Sequence, residues 1–184
     1  MLICLREEAP LIITTDRLRL RPMEPKDIAD FVRDLNDWEV QQWLSIPPFP
    51  YGHKDGEAYL RIVQGNHASG HPTAFVVADG NTDSALGVMA VDLDGNGQGA
   101  LGYWIGRQHW GWGIAREAGA ALLDHASRHP ALRRLVAVTD PDNLRSQRVL
   151  RALGFRDRGL SDRPSPSRRG STQLRSYTFP LARH

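Results

Sequence analysis

The sequence predicts an α+β fold in which a mixed, mostly antiparallel central sheet is flanked by helices. Three β-rich runs, at 73–79, 85–93 and 100–106, follow one another with short polar connections, as in an antiparallel meander. Helical patterns then alternate with a β run at 133–139. This alternation requires a crossover connection and a parallel pair of strands. A sheet wound on both faces would alternate strands and helices earlier in the chain.

The composition is that of an ordinary globular protein. The 184 residues are 41% hydrophobic and 24% charged, with a formal net charge of +2, and we expect one domain spanning 1–184. No leader segment and no run of about 20 apolar residues is present, so we expect a cytoplasmic protein without membrane association. The single cysteine, Cys4, and the scattered histidines lack zinc-binding spacing, so we expect no metal site.

The first half of the chain predicts a strand, two helices and the meander. Leucine and arginine alternate in TDRLRLRPM, as in a half-buried strand that Pro22 ends. EPKDIADFVRDLND has apolar residues at helical spacing. After a proline-rich loop, a second helical pattern begins near Asp55 and is predicted to turn Ile62 towards the core.

The second half predicts helix, strand, helix and a last strand. The alanine-rich run at 114–129 predicts a helix that Pro130 ends. RRLVAVTD is an apolar β run, NLRSQRVLRALGF is a helix that Gly154 closes, and RSYTFPL predicts the last strand. The arginine-rich segment at 156–175 is predicted to be a solvated loop. Its charge leaves open a second interpretation, the attraction of an acidic substrate by Arg168 and Arg169.

The stretch RQHWGWGIAREAG places glycines where a helix begins. The first N–H groups of a helix lack internal partners and lie at the positive end of its dipole. Gly111 and Gly113 have no Cβ that would keep an anion away. We therefore predict a pyrophosphate site on the backbone N–H groups from Trp110 to Ala115. The residues of a P-loop are missing, and Arg116 disfavours a dinucleotide-binding GxGxxG motif, whereas a plain turn into a helix stays open.

The segment GYWIGRQHWGWGIAREA resembles the acyl-CoA-binding segment of the GNAT N-acetyltransferase superfamily. That pattern, [QR]-x-x-G-x-[GA] after a strand, is matched here by Gln108, Gly111 and Gly113. The resemblance continues in N..S..VL..LGF, and WLSIPPFPY is similar to a loop of the ribosomal-protein N-terminal (alanine and serine) acetyltransferases. It covers about residues 13 to 156.

The resemblance implies a GNAT-type fold with an acyl-CoA cleft between the strand at 100–106 and the strand at 133–139. The implied function is an acetyl-CoA-dependent N-acetyltransferase in which a primary amine attacks acetyl-CoA directly in a ternary complex. The acceptor would be a protein N-terminus or a small amine. Family members are often dimers, so a homodimer is expected, and ribosomal association is left open. Two alternatives are a catalytically silent acyl-CoA sensor and an RNA-associated basic module.

The resemblance also implies roles for individual residues. Ser146 would donate a proton to the leaving thiolate. Asn143 would bind the cofactor, although it could equally cap a helix. The remaining cofactor contacts implied by the resemblance are Tyr103, Trp104 and Ile105 through their backbone, and Gln108, Trp110, Gly111, Trp112, Gly113, Ile114 and Ala115 around the pyrophosphate.

Two features depart from the family pattern. Trp112 stands where many relatives have lysine or arginine, which leaves Arg107, Arg116 or Arg148 to bind phosphate, and Trp112 itself to stack on a base or to pack. The glutamate that related ribosomal enzymes carry after the LGF helix has no counterpart here. Asp92 is the candidate general base, with a solvated position at the end of a strand as the alternative. A weak base suffices for an α-amine, whose pKa of about 7.7 to 8.0 leaves part of it neutral.

Overall fold

The computed structural model describes residues 11–68, 74–94, 96–130, 132–162 and 164–181. Cys4 lies outside these ranges. Eight strands and five helices are found in the described residues, in the following order: β1 (Ile13–Thr14), β2 (Leu18–Arg21), α1 (Asp27–Leu35), α2 (Trp38–Gln41), α3 (His53–Ala68), β3 (Ala74–Asp79), β4 (Ala85–Leu93), β5 (Gln98–Ile105), α4 (Ile114–Ser127), β6 (Arg134–Thr139), α5 (Leu144–Ala152), β7 (Arg156–Ser161) and β8 (Leu174–Phe179).

The strands form one sheet in the order β1-β2-β3-β4-β5-β6-β8-β7. Every adjacent pair is antiparallel except β5 and β6, which are parallel. The predicted fold class, a mostly antiparallel mixed sheet flanked by helices, is confirmed. The parallel pair is where the crossover through α4 was expected.

The sheet divides between β5 and β6. The two strands pair only where Gln98–Ala100 lies beside Arg134–Val136. Beyond that point β5 stays paired with β4 as far as Ile105, and β6 stays paired with β8 as far as Thr139. The carboxyl ends of β5 and β6 are therefore not joined to each other by ladder hydrogen bonds, and an opening lies between them. It lies where the sequence predicts the cleft.

Two apolar cores lie on the two faces of the sheet. One contains residues of α4 and α5 together with alternate residues of the strands, such as Met89, Leu101 and Leu135. The other contains α1 and Tyr51 and Val63, with the intervening strand residues such as Val76 and Val88. Because strand side chains alternate between faces, neighbouring residues of β5 belong to different cores.

Three predictions for individual segments are wrong. The segment predicted to be a solvated loop contains β7, because Arg156 and Asp157 pair with β8 at the edge of the sheet. Ile62 is 60% exposed, and its neighbour Val63 is the α3 residue that faces the protein core. Arg21, on the predicted polar face of β2, is fully buried, since its guanidinium binds both oxygens of Asp27 at 2.8 Å.

Candidate active site

The turn between β5 and α4 presents unbonded backbone N–H groups. It passes through a 3-10 turn at Arg107–His109 and then through Gly111 and Gly113, whose φ angles are +84° and +78°. Gly113 is the N-cap of α4 and no side chain caps the helix, whose first backbone hydrogen bond runs from Glu117 N–H to the Gly113 carbonyl at 3.0 Å. The amides of the first helical turn therefore have no acceptor within the helix. They lie at the positive end of its dipole.

The two glycines are required by backbone conformation, because other L-residues rarely adopt these φ angles. A Cβ added at Gly111 would meet nothing within 4 Å, and one added at Gly113 would meet only Arg17 Nη2, at 3.6 Å. The surface over the turn is thus open, and a methyl group there would project into the space from which an anion approaches. The residues present fit a diphosphate group. The Trp110 amide is the exception, since it donates to the Arg107 carbonyl at 3.1 Å.

Arg17 lies at the rim of this turn, and sequence analysis missed it. Its Nε and Nη2 donate to Glu117 Oε2 at 2.7 and 2.5 Å, and Thr15 donates to Glu117 Oε1. Burial opposes the ionisation of Glu117, but hydrogen bonds from Thr15 and Arg17 outweigh it and lower the pKa of Glu117 below its ordinary value. The arginine is separated from the turn by about a hundred residues of sequence, so no local pattern could have identified it.

The β5 edge of the opening carries backbone groups of alternate residues. The Gly106 N–H donates to the Leu86 carbonyl on β4, and the Gln98 carbonyl accepts from the Asp94 N–H. The backbone N–H and C=O groups of the even-numbered residues of β5 therefore point to β4. The backbone groups of the odd-numbered residues point the other way, towards β6. Tyr103 and Ile105 lie beyond the last pairing with β6 and present their backbone groups to the opening. The backbone of Trp104 is directed to β4, and its ring contacts Phe31 on the opposite face, with centroids 5.0 Å apart.

Trp110 joins the turn to both sides of the opening. Its indole N–H donates to the Ile105 carbonyl at 2.8 Å, and the Arg145 guanidinium of α5 lies 4.6 Å from the centre of its ring. This cation–π contact places a positive charge across the opening from β5. Trp112 is 70% exposed and packs in neither core.

The other predicted residues near the turn have partners on α1 and α2. Gln108 donates to Asp34 Oδ1 at 3.2 Å. Arg107 lies 3.6 Å from Asp37, so its charge faces α2 rather than the glycine turn. Arg116 and Arg148 are exposed.

Tyr103 and Ser146 meet inside the opening. The phenol oxygen of Tyr103 lies 2.9 Å from Ser146 Oγ and also donates to the Ser146 carbonyl at 3.3 Å. Burial raises the pKa of Tyr103 to about 12 although the hydrogen bond with Ser146 opposes the shift, so the phenol keeps its proton at neutral pH. Asn143 caps α5, since its side-chain oxygen accepts from the Ser146 N–H at 3.0 Å. The cap fixes the start of the helix that carries Ser146.

Asp92 is not brought together with this pair. It follows Val91, which faces the core shared with α4, so its side chain projects from the opposite face of the sheet. On that face it lies near Tyr59, whose pKa is raised to about 12 by burial and secondly by the charge of Asp92. Asp92 pairs with Ala100, the last residue of β5 that pairs with β6. It therefore lies one strand away from the point where the sheet divides.

The loop between β7 and β8 folds back over the end of β6. Asp140, which is buried, accepts a hydrogen bond from Ser167. Burial opposes ionisation of Asp140, but hydrogen bonds from Ser167 and neighbouring serines lower its pKa. Arg168 extends from the same loop to the loop after α2, where its guanidinium donates to the carbonyls of Leu44 and Pro47.

Arg169 adds to this connection between the two loops. It donates to Gln42 Oε1 at 2.9 Å, and its guanidinium lies 5.1 Å from the centre of the Trp43 ring. Internal contacts thus occupy both Arg168 and Arg169, and their attraction of an acidic substrate stays a prediction. We call the contacts made by Arg168 and Arg169 the loop clasp. The loop clasp connects the β6 side of the opening to the residues around α2. The ion pair of Arg107 with Asp37 connects α2 in turn to the β5 side.

Comparison with known proteins decides the family. The profile of the acetyltransferase (GNAT) domain matches residues 17–156. The chain belongs to the GNAT acetyltransferase family. The predicted enzyme class, an N-acetyltransferase, and the predicted cosubstrate, acetyl-CoA, are thereby confirmed.

Individual GNAT relatives cover most of the chain. The uncharacterized N-acetyltransferase p20 of Bacillus licheniformis is 30% identical over 148 residues, which are 79% of this chain and 83% of that protein. The ribosomal protein uS5 alanine N-acetyltransferase of Escherichia coli is 28% identical over 164 residues, 85% of this chain and 84% of that one. A solved structure of a ribosomal L7/L12 α-N-protein acetyltransferase with coenzyme A has a TM-score of 0.79 at 21% identity, covering 93% and 98% of the two chains.

Membrane-spanning helices and metal-binding clusters are both missing from the described residues of this GNAT enzyme. Within the described ranges, no helix has the length and apolar character needed to cross a membrane. In the same part of the chain, no cluster of three or more histidine, cysteine, aspartate or glutamate side chains could hold a metal ion.

Proposed function

We propose that the enzyme transfers the acetyl group of acetyl-CoA to a primary amine by direct attack in a ternary complex. One observation carries this proposal: the uncapped start of α4 and the unpaired edge of β5 border the same opening in the sheet. The first suits a diphosphate and the second suits an extended amide chain. Coenzyme A contains both, joined in that order.

The turn after β5 holds the phosphate end in this proposal. The amides from Gly111 to Ala115 donate to the diphosphate, and the helix dipole adds about half a positive charge. Arg17 at the rim and Arg145 over Trp110 supply cations in place of the lysine that Trp112 replaces. The pantetheine arm then pairs with Tyr103 and Ile105, whose backbone groups face the opening. Trp104 contributes by packing rather than by a backbone contact.

The reaction needs a polarised carbonyl and a proton for the leaving thiolate. A backbone N–H of the open β5 edge donates to the thioester oxygen, where negative charge develops as the amine attacks. The C–N bond forms, the C–S bond breaks, and the thiolate takes a proton from the Tyr103–Ser146 pair. The pair regains a proton from solvent, which receives the proton that the amine loses. With a pKa of about 12, the Tyr103 phenol is protonated at neutral pH and can reprotonate Ser146 after transfer.

The amine must lose a proton before or during attack. Asp92 is the proposed acceptor, working through water from the opposite face near the point where the sheet divides. Such a weak base is sufficient for an α-amine, with a pKa of about 7.7 to 8.0, and insufficient for a lysine near 10.4. We therefore propose that a protein or peptide N-terminus is the preferred acceptor, as in the named activity of the uS5 alanine relative. A homodimer, ribosomal association and a cytoplasmic location stay predictions.

Release of free thiol from acetyl-CoA tests the proposal. The purified chain is mixed with acetyl-CoA and peptides that begin with alanine or serine, with the same peptides blocked at the α-amine, and with small amines. We expect thiol release with a free α-amine and none with the blocked peptides, even when these contain lysine. Binding of acetyl-CoA without turnover on any amine would contradict the proposal and favour a silent sensor.

A further inference from the structure

A second cationic site lies at the far end of β6 from the opening. A cavity of about 420 Å³ is lined there by Arg134, Arg156, Arg158, Thr178, Phe179 and Pro180. Thr139 ends β6 beside the opening, whereas Arg134 begins the strand. At about 3.3 Å per residue, the two ends are roughly 17 Å apart. We call this site the arginine cavity, and it shares no residue with the candidate active site.

The register of the sheet explains why arginines meet there. Arg156 on β7 and Val136 on β6 both pair with Thr178 on β8, so side chains at these positions share one face. Arg134 lies two residues before Val136 and projects from the same face, because Leu135 points into the core on the other side. Two guanidinium groups thus approach from either side of β8.

An irregularity in β7 adds the third arginine. The pairing of β7 with β8 slips between Asp157 and Leu160, and Gly159 has a φ of +86°. An extra residue in one strand re-aims the side chain beside it. Arg158 lies at the start of this irregularity, two residues after Arg156, and donates its Nε to the Thr178 hydroxyl at 2.7 Å. Its two terminal nitrogens make no bond to any residue that the structure describes.

The described residues around this cavity do not balance its charge. None of the lining residues is acidic. Within the described residues, the guanidinium groups of Arg134 and Arg156 make neither a hydrogen bond nor an ion pair. Other arginines of the same segment are occupied, as Arg175 is by Asp157 at 2.9 Å. Guanidinium groups are cationic, so three positive charges meet here without an acidic side chain among the described lining residues.

We propose that the arginine cavity binds phosphate groups of a polyanion. Guanidinium groups donate paired N–H groups in a plane, which match the oxygens of a phosphate. Three of them around one concave surface suit several linked phosphates better than a single carboxylate. The phosphates come either from a free polyphosphate chain or from a nucleic-acid backbone. The inference is independent of the acetyltransferase reaction, because it rests on none of the residues proposed for it.

Calorimetry with tripolyphosphate tests the site. The protein is first saturated with coenzyme A, so that the start of α4 is filled, and tripolyphosphate is then titrated at low salt. We expect binding that the double variant Arg134→Gln/Arg156→Gln weakens by about tenfold or more, since each charge-assisted bond to phosphate is strong. Arg61→Gln, at an exposed arginine of α3, is the matched control and should leave binding unchanged. Thermal unfolding and coenzyme A affinity of the double variant should equal those of the wild type.

A second arm identifies the source of the phosphates. A single-stranded RNA oligonucleotide is titrated at several salt concentrations in place of tripolyphosphate. If the cavity holds a nucleic-acid backbone, the slope of log K against log salt loses about 1.4 in magnitude in the double variant, at about 0.7 for each phosphate contact. Binding of tripolyphosphate alone assigns the cavity to a free polyphosphate. If neither probe binds, or if the double variant binds as the wild type does, the inference is overturned.

Discussion

Replacing Gly111 by alanine tests the cofactor site at its centre. The residue has a φ of +84°, and the added Cβ would meet no atom within 4 Å. The substitution therefore introduces no clash in the free protein. It does place a methyl group over the amides that are proposed to hold the diphosphate. Stability and cofactor affinity should respond very differently.

The two effects can be estimated separately. A left-handed backbone costs an alanine about 1 to 2 kcal/mol, and the lower entropy of the unfolded chain offsets about 0.4 to 1 kcal/mol of this. The net loss of stability is about 1 kcal/mol, which lowers the Tm of a chain of this length by about 2 to 4 °C. Loss of one charge-assisted hydrogen bond to phosphate, about 1.5 to 3 kcal/mol, weakens acetyl-CoA binding by about 10- to 100-fold.

Gly159→Ala is the matched control. Its φ of +86° is close to that of Gly111, and its Cβ would also meet nothing within 4 Å, but it lies in the bulge of β7. Calorimetric titration with acetyl-CoA and thermal unfolding are measured for both variants. Both should lose similar stability, and only Gly111→Ala should lose cofactor affinity. An affinity within twofold of the wild type for Gly111→Ala, or equal losses in the two variants, would refute the proposed cradle.

Three further variants test the remaining parts of the site. Tyr103→Phe should lower kcat by about 100- to 10,000-fold, the typical contribution of a positioned proton donor, with acetyl-CoA affinity unchanged in calorimetry. An unchanged kcat would remove the tyrosine from the proton path. Glu117→Gln should lower the free energy of unfolding at pH 7. Because the pKa of Glu117 is lowered in the folded state, its contribution to stability is present above the ordinary glutamate pKa and disappears as pH falls through the lowered value. Urea unfolding at several acidic pH values should therefore show the stabilities of the variant and the wild type converging. Arg168→Ala should raise the acceptor KM with little change in acetyl-CoA affinity, and it should lower the free energy of unfolding in urea by about 2 kcal/mol. Arg128→Ala, at an exposed helical ion pair, should lower the free energy of unfolding by less than about 0.5 kcal/mol. Equal effects of the two variants would contradict the loop clasp.

Local patterns were sufficient to predict most of the fold. The bounds 85–93 and the helix start at residue 114 agree with β4 and α4, because apolar alternation and an alanine-rich stripe end at glycine and polar turns. The predictions failed where a distant partner overrides a local preference. The local sequence predicts that Arg21 faces solvent, but in the structure its guanidinium donates to Asp27 and Asp83. The strand β7 carries arginines on its exposed face, and only its pairing with β8 identifies it as a strand.

The candidate site divides in the same way. The glycine turn follows from local sequence, since backbone conformation is a local property, whereas the roles of Asn143 and Ser146 were implied by the resemblance to the GNAT family and stay predictions. The roles of Arg17 and Arg168 depend on contacts about a hundred or more residues away, with Glu117 and with the loop after α2. For Tyr103 the family resemblance implied a backbone role, and the structure adds a side-chain contact with Ser146 that only the approach of α5 to β5 creates.

Arg17, paired with Glu117, is a cation beside a glycine turn that carries no lysine between its glycines. A lysine at position 112 would place its charge on the turn itself. Arg17 instead belongs to the connection between β1 and β2 and lies at the rim of the turn. Glu117 orients the guanidinium through two nitrogens and leaves Nη1 without a carboxylate partner among the described residues. The carboxylate also neutralises much of the arginine charge, so the backbone amides and the helix dipole must provide most of the attraction for the diphosphate. Diphosphate binding should therefore depend on Gly111 and Gly113 more than on any single cationic side chain.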